Sequence, residues 1–289
     1  MPKPWHAAKA PPSSTGAVMT EAAVKKKRPQ IVKNRIIYDA CPLCGSEKME
    51  TVTKGNCGSH PLYNPVISDT INWNKCQDCA HIFTDGYFTD EAFAAIFSKT
   101  NQGQQLGHDY ERQRGVAAQM IEKVLPYVKQ GQWMDVGFGN GALLFTAEEY
   151  GFTPIGIDLR KENVDQLQML GIKGWCIDLL KLDKPKQFSV ISLADVVEHV
   201  PYPKPFMTAV HNLLADDGVI LISMPNASCM LWRFMDAVNA NPYWGELEHF
   251  HNFTRERLYE FLRECGFEPV QYGISERYRA CMEIIARKR

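Results

Sequence analysis

Two pairs of cysteines are the first residues whose types and spacing imply chemistry. Cys41-Pro-Leu-Cys44 and Cys76-Gln-Asp-Cys79 are C-x2-C knuckles separated by residues 45–75. A thiolate pair at that spacing reaches one ion from a tight turn. Two pairs complete a tetrahedral Zn2+ site with no open position, so the ion is structural and not catalytic. Unrelated packing cysteines are the alternative, disfavoured by two such pairs in one short segment. Cys57, His60 and His81 are further donors nearby that could replace a thiolate. Cys176, Cys229, Cys265 and Cys281 sit in or beside apolar runs and read as packing residues.

A second constellation is glycine-rich. WMDVG leads into Gly137-Phe138-Gly139-Asn140-Gly141-Ala142 and then a helical pattern. Such a turn lets a ligand approach bare backbone, with helix N–H groups aimed at it. Gly137, Gly139 and Ala142 also fit the dinucleotide fingerprint G-x-G-x-x-G/A loosely. The acids separate the readings. Asp135, just before the glycines, would repel a pyrophosphate but suits a cationic amino-acid ligand. Asp158, ending the next strand, can accept both hydroxyls of a ribose. Asp178, after the third strand, can accept from an adenine amino group. Ordinary capping aspartates explain any one of these, but poorly explain three at successive strand ends, where open α/β sheets bind ligands.

The elements that must position these residues are legible in the hydropathy pattern. Candidate strands are 133–137, 153–158, 172–177, 188–194 and 218–224, with helices at 142–150, 161–170 and 206–214 between them. A helix from about Tyr110 to Val128 leads in. Another, capped by Thr254 and closed by Gly266, precedes two final strand-like runs, PVQYGIS and CMEIIA. Alternating apolar strands and amphipathic helices give an α/β, doubly wound, mainly parallel sheet. Three parts are expected: a disordered basic tail (1–35), a zinc-binding domain (36–100) whose core is separate, and a ligand-binding domain (101–289). The basic run at 25–28 reads as a solvated tail. With 45% hydrophobic and 22% charged residues, wholesale disorder is excluded. No apolar run is long enough for a membrane span and no secretory leader is visible, so a cytoplasmic location is expected. A net charge of −1 argues against a dedicated nucleic-acid partner.

On these motifs the stretch 110–289 resembles the class I S-adenosylmethionine-dependent methyltransferases. DVGFGNG is similar to their first motif, GIDL to the ribose-binding acid, and SLADVVEHV to the fourth-strand motif. CPLCGS…CQDCAHIFTD ahead of such a domain resembles bacterial methyltransferases with an N-terminal zinc ribbon, which act on sugars, glycans or secondary metabolites. EHVPYPKPF…LLADDGVILISMPN resembles the ubiquinone-biosynthesis O-methyltransferases. The resemblance implies a seven-stranded, Rossmann-like methyltransferase fold behind a small zinc ribbon. It implies that Asp135, Gly137, Phe138, Gly139 and Asn140 line the methionine part of the cofactor and that Ala194 also binds it. Asp158 and Leu159 would hold the ribose, Asp178 and Leu179 the adenine, and Tyr110 and Arg114 would cover it.

Methyl transfer to a hydroxyl needs alignment and a base. The candidates are Asp195, Glu198 and His199 after the fourth strand, and His249 and His251 in PYWGELEHFHNFT. Spacing of three and four on a helical turn would put Asp195, Glu198 and His199 on one side, where they could hold a divalent ion such as Mg2+. Without metal, His199 alone is the base. Trp232, Phe234, Tyr243, Trp244, Phe250 and Phe253 suit a substrate wall, or else a core beneath a loop. The expected acceptor is a small molecule or sugar/glycan. An RNA methyltransferase and a non-catalytic zinc-ribbon protein are the competing readings. The first would want a basic ribbon, which 41–100 lacks; the second would not need the intact acid and glycine set. An NAD-dependent oxidoreductase fits poorly because of Asp135.

Overall fold

Runs rich in Ile, Val and Leu build the central sheet of the structure, a computed structural model. It describes residues 29–96, 102–183, 185, 187–278 and 280–289. The expected tail lies outside these as far as residue 28. Residues 31–35 are not open tail: β1 (Ile31–Val32) pairs with β2 (Arg35–Ile37) across a turn in which Lys33 and Asn34 take φ of 48° and 57°. Two left-handed residues are what a tight hairpin of this twist requires.

β3 (Met49–Asn56) and β4 (Thr70–Cys76) flank the loop rich in Gly, Pro and Asn, and β5 (Ile82–Thr84), β6 (Gly86–Phe88) and α1 (Asp90–Ile96) follow. The alternation then begins with α2 (Tyr110–Val124), β7 (Gly131–Val136), α3 (Ala142–Glu149), β8 (Phe152–Asp158), α4 (Lys161–Met169) and β9 (Lys173–Cys176). It continues with β10 (Phe188–Ala194), α5 (Pro203–Leu213), β11 (Leu214–Pro225) and α6 (Met230–Ala237). The chain closes with β12 (His251–Asn252), α7 (Arg255–Glu264), β13 (Phe267–Ile274) and β14 (Cys281–Lys288). Thr254 caps α7 by accepting from Arg257 N, as its position suggests.

The seven-stranded sheet runs β13-β14-β11-β10-β7-β8-β9, parallel except for β14, which is antiparallel to both neighbours. The chain moves outward from β7 to β9, then returns to β10 on the other side of β7. That reversal opens a crevice at the carboxyl ends of β7 and β10, the natural ligand position of such a sheet. One face is covered by α5 and α7 through Phe206, Val210, Leu258 and Phe261. The other is covered by α2 and α3 through Met120, Ile121, Leu143 and Ala147.

The cysteine-bearing segment keeps a small cluster around Cys57, Ile71, Trp73 and Phe88, completed by Leu247 and Phe250, but it also enters the main core. Tyr38, Cys41, Leu43, Cys76 and Phe83 pack in the same apolar cluster as Met134, Ile191 and Phe253. Its antiparallel sheet has the order β12-β5-β4-β3, so an edge strand comes from residues 251–252. Two backbone segments also meet at glycines. A Cβ on Gly55 would lie 1.6 Å from the Trp244 carbonyl oxygen, and one on Gly245 would lie 2.4 Å from the Asn56 oxygen. The expectation of separate cores is therefore corrected in part: the segment buries one small cluster with help from Leu247 and Phe250, and its knuckles share the larger core.

Candidate active site

The glycine loop after β7 has the conformation its composition implies, with φ of +67°, +52° and +77° at Gly137, Gly139 and Gly141. Phe138 departs from the expectation. Its ring is buried with Leu144, Val164 and Leu167 and lies over Gly156, where a Cβ would sit 2.7 Å from it. Only its main chain remains in the loop. Asn140 is structural as well as local: Nδ2 donates to His108 O (3.1 Å) and Oδ1 accepts from Ala142 N (3.1 Å). The stretch before α2 lies across this loop, through Gly107 N to Asn140 O (2.9 Å) and Asn163 Nδ2 to both Gln104 O and Gly139 O (2.8 and 3.1 Å).

The three acids have three different environments. Asp135, 3% exposed, accepts from Ser192 Oγ at 2.6 Å, and Trp133 Nε1 donates to that same hydroxyl oxygen at 2.8 Å. Burial pushes the Asp135 carboxyl up to about 7, against the opposing pull of Ser192 and Arg277. Asp158 accepts from Arg160 N and Nε (2.8 and 3.0 Å), and its other oxygen faces Gly139 N at 3.4 Å. Asp178 caps the 3-10 turn at Leu179–Lys181, accepting from Leu180 N at 3.0 Å. Leu159 is exposed, Leu179 is buried in the main core, and Ala194 is half-buried at the end of β10. Tyr110 and Arg114 do not reach over the loop as the resemblance implied. Both donate to Glu149 of α3, from Tyr110 Oη and Arg114 Nε at 2.9 Å each, and this pairing holds the Glu149 carboxyl down at about 2.

After β10 the backbone turns sharply. Asp195 has φ of +56°, and Val197–His199 form a 3-10 turn instead of an α-helical one. The expected grouping therefore changes. Asp195 is drawn to Arg277, with Oδ2 to Nη2 at 3.0 Å, and His249 takes its place beside Glu198 and His199. One donor atom from each of those three lies within 4.8 Å of the others. Glu198 is 1% exposed and neither carboxyl oxygen has a partner among the described residues. Burial, then Asp195, holds its carboxyl well above the usual range. His249 Nδ1 is also buried without a partner, and burial together with His199 lowers that imidazole to about 3. The His199 Nδ1 lies 2.9 Å from the Glu248 carbonyl oxygen, which can only accept, so Nδ1 is the donor and Nε2 is the nitrogen left to serve as a base.

His251 is not a base for this site. It is buried, Nε2 donates to Val200 O at 2.9 Å, and Nδ1 meets His81 Nε2 at 3.0 Å. Burial lowers it to about 4, a neutral strut between β5 and the turn after β10. The aromatics divide similarly. Trp232, Phe250 and Phe253 are core, Phe234 is exposed, and Tyr243 stacks on Trp232 and faces His249 (ring centres 4.9 and 6.4 Å). Sequence reasoning missed Arg277, which lies far from the recognisable motifs in the chain, and Ser192, which stands inside SLADVVEHV but carries only a hydroxyl to mark it. It placed His60 with the cysteines. His60 instead bonds Glu246 at 2.7 Å with Glu248 adjacent; burial raises the Glu246 carboxyl, but this bond outweighs it and holds it at about 2.

The four knuckle cysteines converge. Cys41 and Cys79 sulfurs are 3.7 Å apart and Cys44 and Cys76 3.5 Å, and all four lie within 4.8 Å of one another. Zn–S bonds of about 2.3 Å in a tetrahedron put sulfurs about 3.8 Å apart, so the donor set fits that ion. Cys57 is outside it, its thiol directed to Ser68 O at 3.4 Å.

Comparison with known proteins agrees with the fold. A family model described as "Methyltransferase domain" matches residues 109–272. A ubiquinone biosynthesis O-methyltransferase of Idiomarina loihiensis is 27% identical over 107 residues, 34% of this chain and 44% of that protein. One of Pseudomonas aeruginosa is 26% identical over 149 residues, 47% and 63% respectively. The chain thus spans about half the length of these relatives. Among solved structures, the 1,6-didemethyltoxoflavin-N1-methyltransferase of Burkholderia thailandensis, with bound 1,6-didemethyltoxoflavin and S-adenosylhomocysteine, shares the fold at a TM-score of 0.53. It is 19% identical and covers 73% of this chain and 97% of its own.

Proposed function

The chain belongs to the methyltransferase-domain family, and from that premise we propose that it transfers a methyl group from S-adenosylmethionine to a hydroxyl of a small molecule, of which a sugar or glycan is the class the zinc ribbon favours. The observation that carries the reading is the pairing of two sites across one crevice. Asp135 and Asp158 stand at the ends of β7 and β8, and His199, its Nδ1 turned to the Glu248 carbonyl, stands just past β10.

S-adenosylmethionine supplies an electrophilic methyl on a sulfonium. The chain's part begins with binding. Asp158 accepts the ribose hydroxyls in exchange for Arg160, Asp135 faces the cationic amino-acid end, and the glycine loop gives close approach. His199 Nε2 removes the acceptor's hydroxyl proton as oxygen attacks in line, and the Glu248 carbonyl keeps the imidazole in that tautomer. In the alternative to that base role, Glu198, His199 and His249 would hold a divalent ion. Their unpartnered buried atoms fit one, and it would acidify the hydroxyl. The four cysteines would hold Zn2+ as a structural ion.

An assay of cell extract with labelled methyl donor should show label entering a product only with enzyme present, and calorimetry should show S-adenosylhomocysteine binding and none for NADH. NADH binding in place of the homocysteine product would reject the reading. With an acceptor in hand, His199→Ala should lower turnover by ~10²-fold with cofactor affinity nearly unchanged.

A further inference from the structure

An α-amino acid bound in this crevice brings a carboxylate that needs a cation, and Arg114, expected to cover the cofactor, is engaged elsewhere. Arg114 is held by the Glu149 carboxylate through both Nε and Nη2. Arg160 is committed to Asp158 and to Gln104 Oε1 at 2.5 Å, and Lys123 to Glu283 at 2.5 Å. Arg277 differs from all three. It comes from the connection between β13 and β14, whose backbone is pinned by Asn226 N to Ala280 O (2.8 Å) and Ser275 N to Cys281 O (3.1 Å). Because β14 is antiparallel to β11, its first residue lies at the carboxyl edge of the sheet, and this connection overhangs the crevice.

From there the guanidinium spans to Asp195 beyond β10, with Nη2 to Oδ2 at 3.0 Å. Burial lowers its basicity, but Asp195, Tyr278 and Asp135 raise it by more, so the guanidinium lies within the field of the residue placed for the cofactor's cationic end. The side chain is 25% exposed, yet Nη1 is buried and has no hydrogen-bond partner among the described residues. A guanidinium is a planar fork suited to carboxylates, and here one edge is used and the other is not. We propose that Arg277 binds the α-carboxylate of the cofactor's amino-acid end through Nη1, with Asp195 fixing the fork from the opposite edge. The acid and base at the crevice then read both ends of a zwitterion, Asp135 its ammonium and Arg277 its carboxylate. This rests on the cofactor reading above.

The test is calorimetry on the full chain with two ligands, S-adenosylhomocysteine and its decarboxylated analogue, which keeps the amine and lacks the carboxylate. Wild type should prefer the first by ~10-fold or more, the range of a hydrogen bond to a charged group. Arg277→Met, of similar length without charge, should remove that preference by weakening the homocysteine ligand alone, and Arg277→Lys should restore part of it. Equal losses for both ligands, with a lowered melting midpoint, would make Arg277 merely structural and overturn the proposal. Unchanged homocysteine binding in Arg277→Met would overturn it too, and a loss in Arg114→Met instead would return the role to α2. Binding of neither ligand to wild type would instead refute the cofactor reading itself.

Discussion

At the residue scale, two strand-end acids carry separable consequences. Asp158 is the group whose two oxygens already accept from four donors, Arg160 N, Nε and Nη2 and Gly139 N. A diol presents two donors to the same oxygens. Asp158→Ala should therefore cost about 2–3 kcal/mol of S-adenosylhomocysteine affinity, read by calorimetry. Asp135 gives a pH effect. Its carboxyl stands near 7 in the free protein because it is buried. A cationic ligand favours the ionised form, so binding releases a proton, and affinity strengthens as pH rises through 7. Between pH 6 and 8 the gain should be about tenfold, the change in ionised fraction for a group titrating near 7. Asp135→Asn should bind more weakly and lose this dependence; a flat profile in wild type would contradict it.

The prediction that belongs to the element scale concerns how the ribbon is seated. Gly55 of β3 lies against the backbone of Trp244, two residues before Glu246, and Trp73 Nε1 donates to that same carbonyl at 2.8 Å. A methyl at Gly55 cannot be absorbed by a rotamer change, because the obstacle is main chain. Gly55→Ala should destabilise by about 1–3 kcal/mol or more in denaturant titration, and should lower turnover by displacing Glu246 and Glu248. Gly115 is the contrast. It lies in α2 without a positive φ, and a methyl carbon added there would meet nothing within 4 Å, so Gly115→Ala should stabilise by about 0.5–1 kcal/mol. Equal effects at the two positions would mean that the contact between the ribbon and residues 242–246 is not tight.

Across the whole molecule, the ribbon and the large sheet share one apolar cluster, and the path between their chemistries is short. His81, two residues past Cys79, meets His251, and His251 donates to the carbonyl next to His199. Stripping the cysteine site with a chelator, or Cys41→Ser, should therefore lower a single melting transition of the entire chain by about 5–10 °C, since a few kcal/mol move a midpoint by roughly 2–4 °C each at this size. Two separate transitions, with the larger unchanged, would restore the picture of independent domains. No helix among the described residues is long and apolar enough to cross a membrane.

What the sequence by itself determined was local and periodic. The strands 188–194 and 153–158, the cap at Thr254, the glycine turn with its three positive φ values, and the two knuckles all follow from neighbours a few residues apart. Backbone sterics, capping and metal-ligand spacing act over that range, so pattern was sufficient. The tertiary structure decided which groups meet. It sent Phe138 into the core, tied Arg114 to Glu149, moved Asp195 from the Glu198–His199 pair to Arg277, and brought in His249. It also turned His251 from a candidate base into a buried strut. These outcomes depend on a 3-10 turn replacing an α-helical one and on contacts between residues far apart in the chain, 170 positions for His81 and His251. Spacing along a chain carries no information about such contacts, because burial and pairing are settled only when distant segments compete for the same partners.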